Sequence, residues 1–151
     1  LEFSGPYPTD KLIGCETALI LFAAAFGGMN DCAWVADAGL RATCVDLDGE
    51  KLEEMKPLYP DDWKFVCKNA YQVGVDAVVS QWDVVSLDPY TNEFTRCADN
   101  IKAWCRLARH IVILGTGTHT VVNEPAGWTI SQRIKRSTYA GGVWWTVLER
   151  A

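Results

Sequence analysis

Hydrophobic and polar positions along the chain fall into two alternating kinds of segment. Short apolar runs bounded by polar or glycine-containing stretches occur at Thr17–Ala25, Arg41–Asp46, Trp63–Lys68, Trp82–Leu87 and Ile111–Leu114, each of a length suited to a buried strand. The alanine content of Thr17–Ala25 also leaves a helix open there. Between the runs lie helix signals. Gly27-Gly28 breaks the first run, Asn30 or Asp31 can cap a short helix through Ala38, and Gly39 sits where helices end in a left-handed residue. A second helix over Gly49–Tyr59 must stop before Pro60, and a helical turn is expected around Gln72–Ser80. The clearest periodicity spans Glu93–Arg109, where Phe94, Cys97, Ala98, Ile101, Trp104, Cys105 and Ala108 recur at steps of three and four; Thr91 or Asn92 can cap it.

Strands separated by helices predict a parallel sheet with crossover helices. The last two apolar segments differ. Thr129–Arg136 and Val143–Leu148 are joined by a short turn through Gly141-Gly142, which predicts a closing antiparallel hairpin. Trp128, Trp144 and Trp145 on or beside it suit a sheet core. With no repeat, low-complexity tract or linker, residues 1–151 are expected to form one domain.

Composition changes this picture little. Apolar residues make up 49% and charged residues 22% of the 151, ordinary globular usage. The longest apolar run, Ala18 to Phe26, is about half of a membrane span, and no basic segment followed by an apolar leader core is found. The six cysteines stand singly, without C-x-x-C spacing, and His110 and His119 form no zinc-type pair. Structural thiols in a reducing compartment, the cytoplasm, are therefore expected. A net charge of −5 argues against strong autonomous binding to a phosphate backbone. Arg133, Lys135, Arg136 and Arg150 gather near the C-terminus, where a solvated strand face explains them as well as a basic patch does.

Ligands of open parallel sheets bind beyond the carboxyl ends of the strands. The first exit, Ala25-Phe26-Gly27-Gly28-Met29-Asn30-Asp31, offers glycines that let a ligand approach the backbone. The second, Cys44-Val45-Asp46-Leu47-Asp48, carries Asp46 at the strand's end about twenty residues further on, able to accept from both hydroxyls of a ribose; Asp48 can cap the next helix. The fourth is the sharpest: Asp83-Val84-Val85-Ser86-Leu87-Asp88-Pro89-Tyr90 delivers an acid, a proline and an aromatic at a strand tip. A conjugated amine is a poor nucleophile, because its lone pair belongs to the π-system. Asp88 and a backbone carbonyl fixed by Pro89 can accept its two N–H bonds and localise that lone pair, while Tyr90 offers a stacking face. An Asp-Pro turn that merely ends a strand is the plainer reading.

Together, Leu21 to Asp48 resemble the first βαβ unit of class I S-adenosylmethionine-dependent methyltransferases, with Ala36-Asp37-Ala38-Gly39-Leu40-Arg41-Ala42-Thr43-Cys44-Val45-Asp46 in register. Asp88-Pro89-Tyr90 resembles the catalytic motif of amino-methyltransferases acting on nucleobases. The resemblance implies an α/β, Rossmann-like three-layer sandwich. Its mostly parallel seven-stranded sheet would have strands three, two, one, four and five in that order, with the hairpin on the far edge. It also implies S-adenosylmethionine as cofactor, held by Ala25, Phe26, Gly27, Gly28, Asp46, Leu47, Asn69 and Ala70, and catalysis by Asp88, Pro89 and Tyr90. In this pattern Asn69 meets the adenine amine and Ala70 lies near its ring.

Two departures are visible. Ala23, Ala25, Gly27 and Met29 stand where the family has an acid and three spaced glycines, and the catalytic motif holds one proline. They leave as an alternative a degenerate, non-catalytic domain acting in binding or assembly. A nicotinamide-dependent oxidoreductase is a distant third, since Gly-x-Gly-x-x-Gly is missing. The acceptor would be a nucleic acid or a small-molecule amine. With no separate recognition module in view, a homo-oligomer or a recognition subunit would complete the site. Such a minimal form would suit a phage or other mobile-element gene.

Overall fold

A computed structural model describes residues 6–25, 31–76, 81–137 and 142–151. One seven-stranded sheet runs through it in the order β3-β2-β1-β4-β5-β7-β6. Its strands are β1 (Thr17–Leu21), β2 (Arg41–Asp46), β3 (Lys64–Cys67), β4 (Trp82–Leu87), β5 (Ala108–Gly117), β6 (Trp128–Ser137) and β7 (Val143–Arg150). The first five pair in parallel, and β7 runs antiparallel between β5 and β6. The expected order and closing hairpin are both present.

The two-residue period of the strands divides their side chains between two cores. On one face Ala18, Ile20, Val84, Ile113, Trp145 and Val147 pack against α1 (Asp31–Asp37), α2 (Gly49–Met55) and the N-terminal residues Tyr7 and Leu12. On the other, Leu19, Leu21, Val85, Leu87, Val112 and Leu114 pack against α3 (Ala70–Asp76), α4 (Phe94–Asp99) and α5 (Ile101–Leu107). Ile20, Leu21, Leu87 and Leu114 are wholly buried, each contributing about 1.5–3 kcal/mol of burial free energy. Covering both faces is what lets the central strands be apolar throughout.

Several boundaries differ from the sequence expectation, for local reasons. The first strand ends at Leu21; residues 22–25 form a turn, with Phe22 in the left-handed region at φ 57°. The helix expected over Glu93–Arg109 is two helices. They part at Asn100, whose Nδ2 donates to the Arg96 carbonyl at 2.8 Å and so competes with the helical ladder. Ala108 and Arg109 belong instead to β5, where Arg109 reaches Asp83 at 3.3 Å. Helix α2 tightens into a 3-10 turn at Lys56–Leu58, around Pro57. A 3-10 turn at Thr91–Glu93 precedes α4, without a side-chain cap. Asp48 does cap α2, accepting from Lys51 N at 3.1 Å. Asn30, Gly141 and residues 77–80 lie outside the described residues.

Gly39 closes α1 at φ +82°, and a Cβ built there meets nothing within 4 Å. Any loss on substitution is therefore backbone strain alone. Gly39→Ala is expected to lower stability by about 1 kcal/mol, and Gly39→Asn by less; urea unfolding of the variants measures both.

Candidate active site

Strands β1 and β4 are neighbours, yet the connections after them cover opposite faces of the sheet. That reversal opens a crevice at their carboxyl ends. Its β2 side is organised by Asp46. One carboxylate oxygen accepts from Ala24 N at 2.9 Å and the other from Asp48 N at 2.9 Å. Asp46 thus ties the turn after β1 to the end of β2, while each oxygen keeps a second lone pair for a ligand. The adjoining Leu47 is 67% exposed, an apolar side chain beside an acid at a strand exit. At the β3 exit, Asn69 Oδ1 accepts from Tyr71 N at 2.9 Å, so Asn69 caps α3. It lies exposed beside buried Ala70, and Lys68 N donates to the Asp46 carbonyl at 2.9 Å. Ala25 is buried. Phe26, Gly27 and Gly28 lie outside the described residues.

The β4 side is built around a buried ion pair. Asp88, 2% exposed, receives Arg136 Nη1 at 2.7 Å and Nη2 at 3.0 Å, one on each oxygen. Arg136 is only 11% exposed, and its guanidinium lies 3.9 Å from the centre of the Trp145 ring. A solvated strand face is therefore the wrong description of Arg136. The register slips between Lys135 and Ser137 against β7, which makes Arg136 the extra residue of a β-bulge. A bulge re-aims a side chain, and this one sends a guanidinium into the crevice. Gly115 makes room: a Cβ there would sit 3.2 Å from Asp88 Oδ1 and 3.5 Å from Arg136 Nη1. Pro89 is buried, and Tyr90 is 47% exposed.

A second buried acid adjoins the pair. Ser86 Oγ donates to Asp31 Oδ2 at 2.6 Å. Its one proton is thereby used, so the Tyr7 hydroxyl, 2.7 Å away, donates to Ser86. Trp145 Nε1 donates to the Pro6 carbonyl at 2.8 Å, and the Tyr7 ring meets Trp145 edge-on at 4.9 Å. Asp31, Ser86, Asp88 and Arg136 therefore converge from α1, β4, its exit loop and β6. The sequence reading had Asp31 only as a cap and did not single out Tyr7, Ser86 or Arg136 for this site. Ser86, polar within Val84-Val85-Ser86-Leu87, was the one signal available.

Burial and the nearby Asp88 raise the Asp31 carboxyl to about 7, with Ser86 and Arg136 acting the other way. The groups facing it are Tyr7, Asp88, Arg136, Cys32 on its own helix and Tyr59. With its native pKa raised, Asp31 holds more protons in the folded than in the unfolded chain between about pH 4 and 7. Its contribution is present at low pH and is lost as pH rises through 7. Asp31→Asn should therefore gain stability relative to the wild type as pH increases over that window. Urea unfolding across the range tests this, and a constant difference would refute it.

No protein-family model matches the chain, and no curated protein matches it in sequence. Solved structures do match in fold. HI0767 of Haemophilus influenzae, an inferred methylase, superposes with a TM-score of 0.70 at 16% identity, covering 94% of this chain and 90% of that one. Magnesium protoporphyrin IX methyltransferase of Synechocystis, solved with bound S-adenosylmethionine, gives 0.61 at 16% identity, covering 91% and 71%. TrmN of Thermus thermophilus gives 0.70 at 16% identity, covering 94% of this chain and 47% of that one. What the chain shares with these proteins is the class I methyltransferase fold.

Proposed function

We propose that the chain is an S-adenosylmethionine-dependent methyltransferase acting on an amine of a planar, conjugated acceptor, a nucleic-acid base being favoured. The observation that carries the cofactor reading is the Asp46–Leu47 exit. There a fixed carboxylate stands beside an exposed apolar side chain, within a methyltransferase fold. That donor set suits a nucleoside: Asp46 accepts from ribose hydroxyls, Leu47 and Ala70 flank the base, and the Asn69 amide meets its edge. The cofactor supplies the electrophilic methyl group.

This chain's own residues would orient the acceptor. Arg136 keeps Asp88 aimed, since a carboxylate gripped at both oxygens loses rotational freedom. Asp88, at the tip of β4, would accept from an acceptor N–H, and Tyr90 offers a face for stacking. The burial of Asp88 under Arg136 favours one second reading, a domain that keeps the cofactor and assembles with a partner without catalysis. A partner subunit or second copy could equally complete the acceptor site.

Calorimetry with S-adenosylmethionine and S-adenosylhomocysteine is the primary test. Both are expected to bind, and Asp46→Ala should weaken them about tenfold or more, as loss of charge-assisted hydrogen bonds does. Binding of neither would overturn the proposal. Asp88→Asn should leave cofactor affinity within about threefold while abolishing transfer from methyl-labelled cofactor to RNA or DNA. Cofactor binding by the wild type without transfer to any amine acceptor would select the non-catalytic reading.

A further inference from the structure

The β6–β7 hairpin carries a second constellation at the carboxyl edge of the sheet, outside the crevice. Arg133 and Lys135 are exposed on β6 and flank one indole: the Arg133 guanidinium lies 4.8 Å, and Lys135 Nζ 5.7 Å, from the centre of the Trp144 ring. The pairing explains the clustering. Arg133 stands opposite Thr146 and Lys135 opposite Trp144, so both cations project from the same face as the indole. Trp144 is half-buried and held in place, its Nε1 donating to Thr118 Oγ1 at 3.2 Å. Gly142 closes the group, because a Cβ there would fall 2.6 Å from Thr118 Oγ1 and 3.2 Å from Trp144 Nε1. Among the described residues, neither cation takes part in an ion pair.

The position matters as much as the chemistry. Trp144 pairs with Thr116, one residue beyond the Gly115 that adjoins Asp88. Two strand spacings, about 10 Å, separate the β4 exit from β7. Phe94, four residues past exposed Tyr90, lies 3.4 Å from a Cβ built on Gly117, which brings the Tyr90 loop to the same edge. A half-buried flat ring beside two cations, with the exposed Tyr90 ring nearby, matches a polymer of phosphates and planar bases. Phosphates meet the cations and bases meet the rings. An acidic peptide would use the cations alone.

We propose that the Arg133–Trp144–Lys135 face of the hairpin binds single-stranded nucleic acid and presents it to the crevice at Asp88. The role in presentation rests on the methyltransferase reading; the binding itself does not. The net charge of −5 makes this face a local exception on an acidic protein, so binding should be weak and steeply dependent on salt.

Fluorescence anisotropy with labelled oligo(U) and oligo(dT) at low salt tests the surface and separates RNA from DNA. The wild type is expected to bind at least one. Arg133→Gln/Lys135→Gln should lower affinity about tenfold or more and reduce the magnitude of the log–log salt slope by about 1.4. Trp144→Ala should lower affinity about tenfold through lost stacking, with thermal unfolding confirming that it folds. Lys51→Gln/Lys56→Gln, on α2 and in the turn that ends it, removes equal charge from exposed positions elsewhere and should have little effect. The proposal is overturned if the wild type binds neither oligomer. It is equally overturned if the α2 variant loses as much affinity, or if an oligoglutamate competes as well as oligo(U). Each of those results with cofactor binding intact removes this surface and leaves the cofactor reading standing.

Discussion

A parallel sheet covered on both faces confines polar chemistry to its ends. Inside, every backbone group is paired along the ladder and every side chain is packed, so a ligand has nowhere else to enter. The arrangement of this molecule follows from that constraint. Asp46, Asn69 and Asp88 each stand at or just beyond the last residue of a strand. The connections diverge at β1 and β4, opening a gap between layers that are otherwise closed.

The gap is not empty of charge. Two buried carboxyl groups, Asp31 and Asp88, lie near one guanidinium that is paired with Asp88, and such a group is costly unless each member is hydrogen-bonded. Ser86 and Tyr7 complete the network around Asp31; Trp145 supports Arg136, and Gly115 leaves it space. Removing Arg136 would strip a buried carboxylate of its bidentate cation, which is more damaging than the net worth of the pair. The N-terminal residues Pro6 and Tyr7 are joined to the same network through Trp145 and Ser86. Chain segments at opposite ends of the sequence thus meet beside the β4 exit.

The sheet order was legible because β1, β2, β4 and β5 write their burial as short apolar runs, and because Gly39 and Asp48 punctuate the helices with specific backbone chemistry. The Asn100 break was hidden, since Phe94 to Ala108 keeps a helical period through it. Ala108 and Arg109 were taken by the helix pattern although they belong to β5, Ala108 pairing with Trp82 of β4. At the site, Asp46 and Asp88 could be found from their positions at strand tips. Arg136 could not: its direction depends on a one-residue slip of register against β7, which nothing local to Lys135-Arg136-Ser137 announces. Asp31 was read as a helix cap because its partner, Ser86, lies 55 residues away in the chain.

The bulge at Arg136 has one more effect. Strand β6 is a ten-residue edge, and a long, regular edge is a template on which another chain can extend the sheet. Here the ladder slips twice, between Ile130 and Gln132 and again between Lys135 and Ser137, and Arg133 and Lys135 stand along the same strand. An incoming strand would find its register broken at both slips and its approach opposed by charge. The irregularity that aims a guanidinium inward also guards the outer rim of the sheet against aggregation.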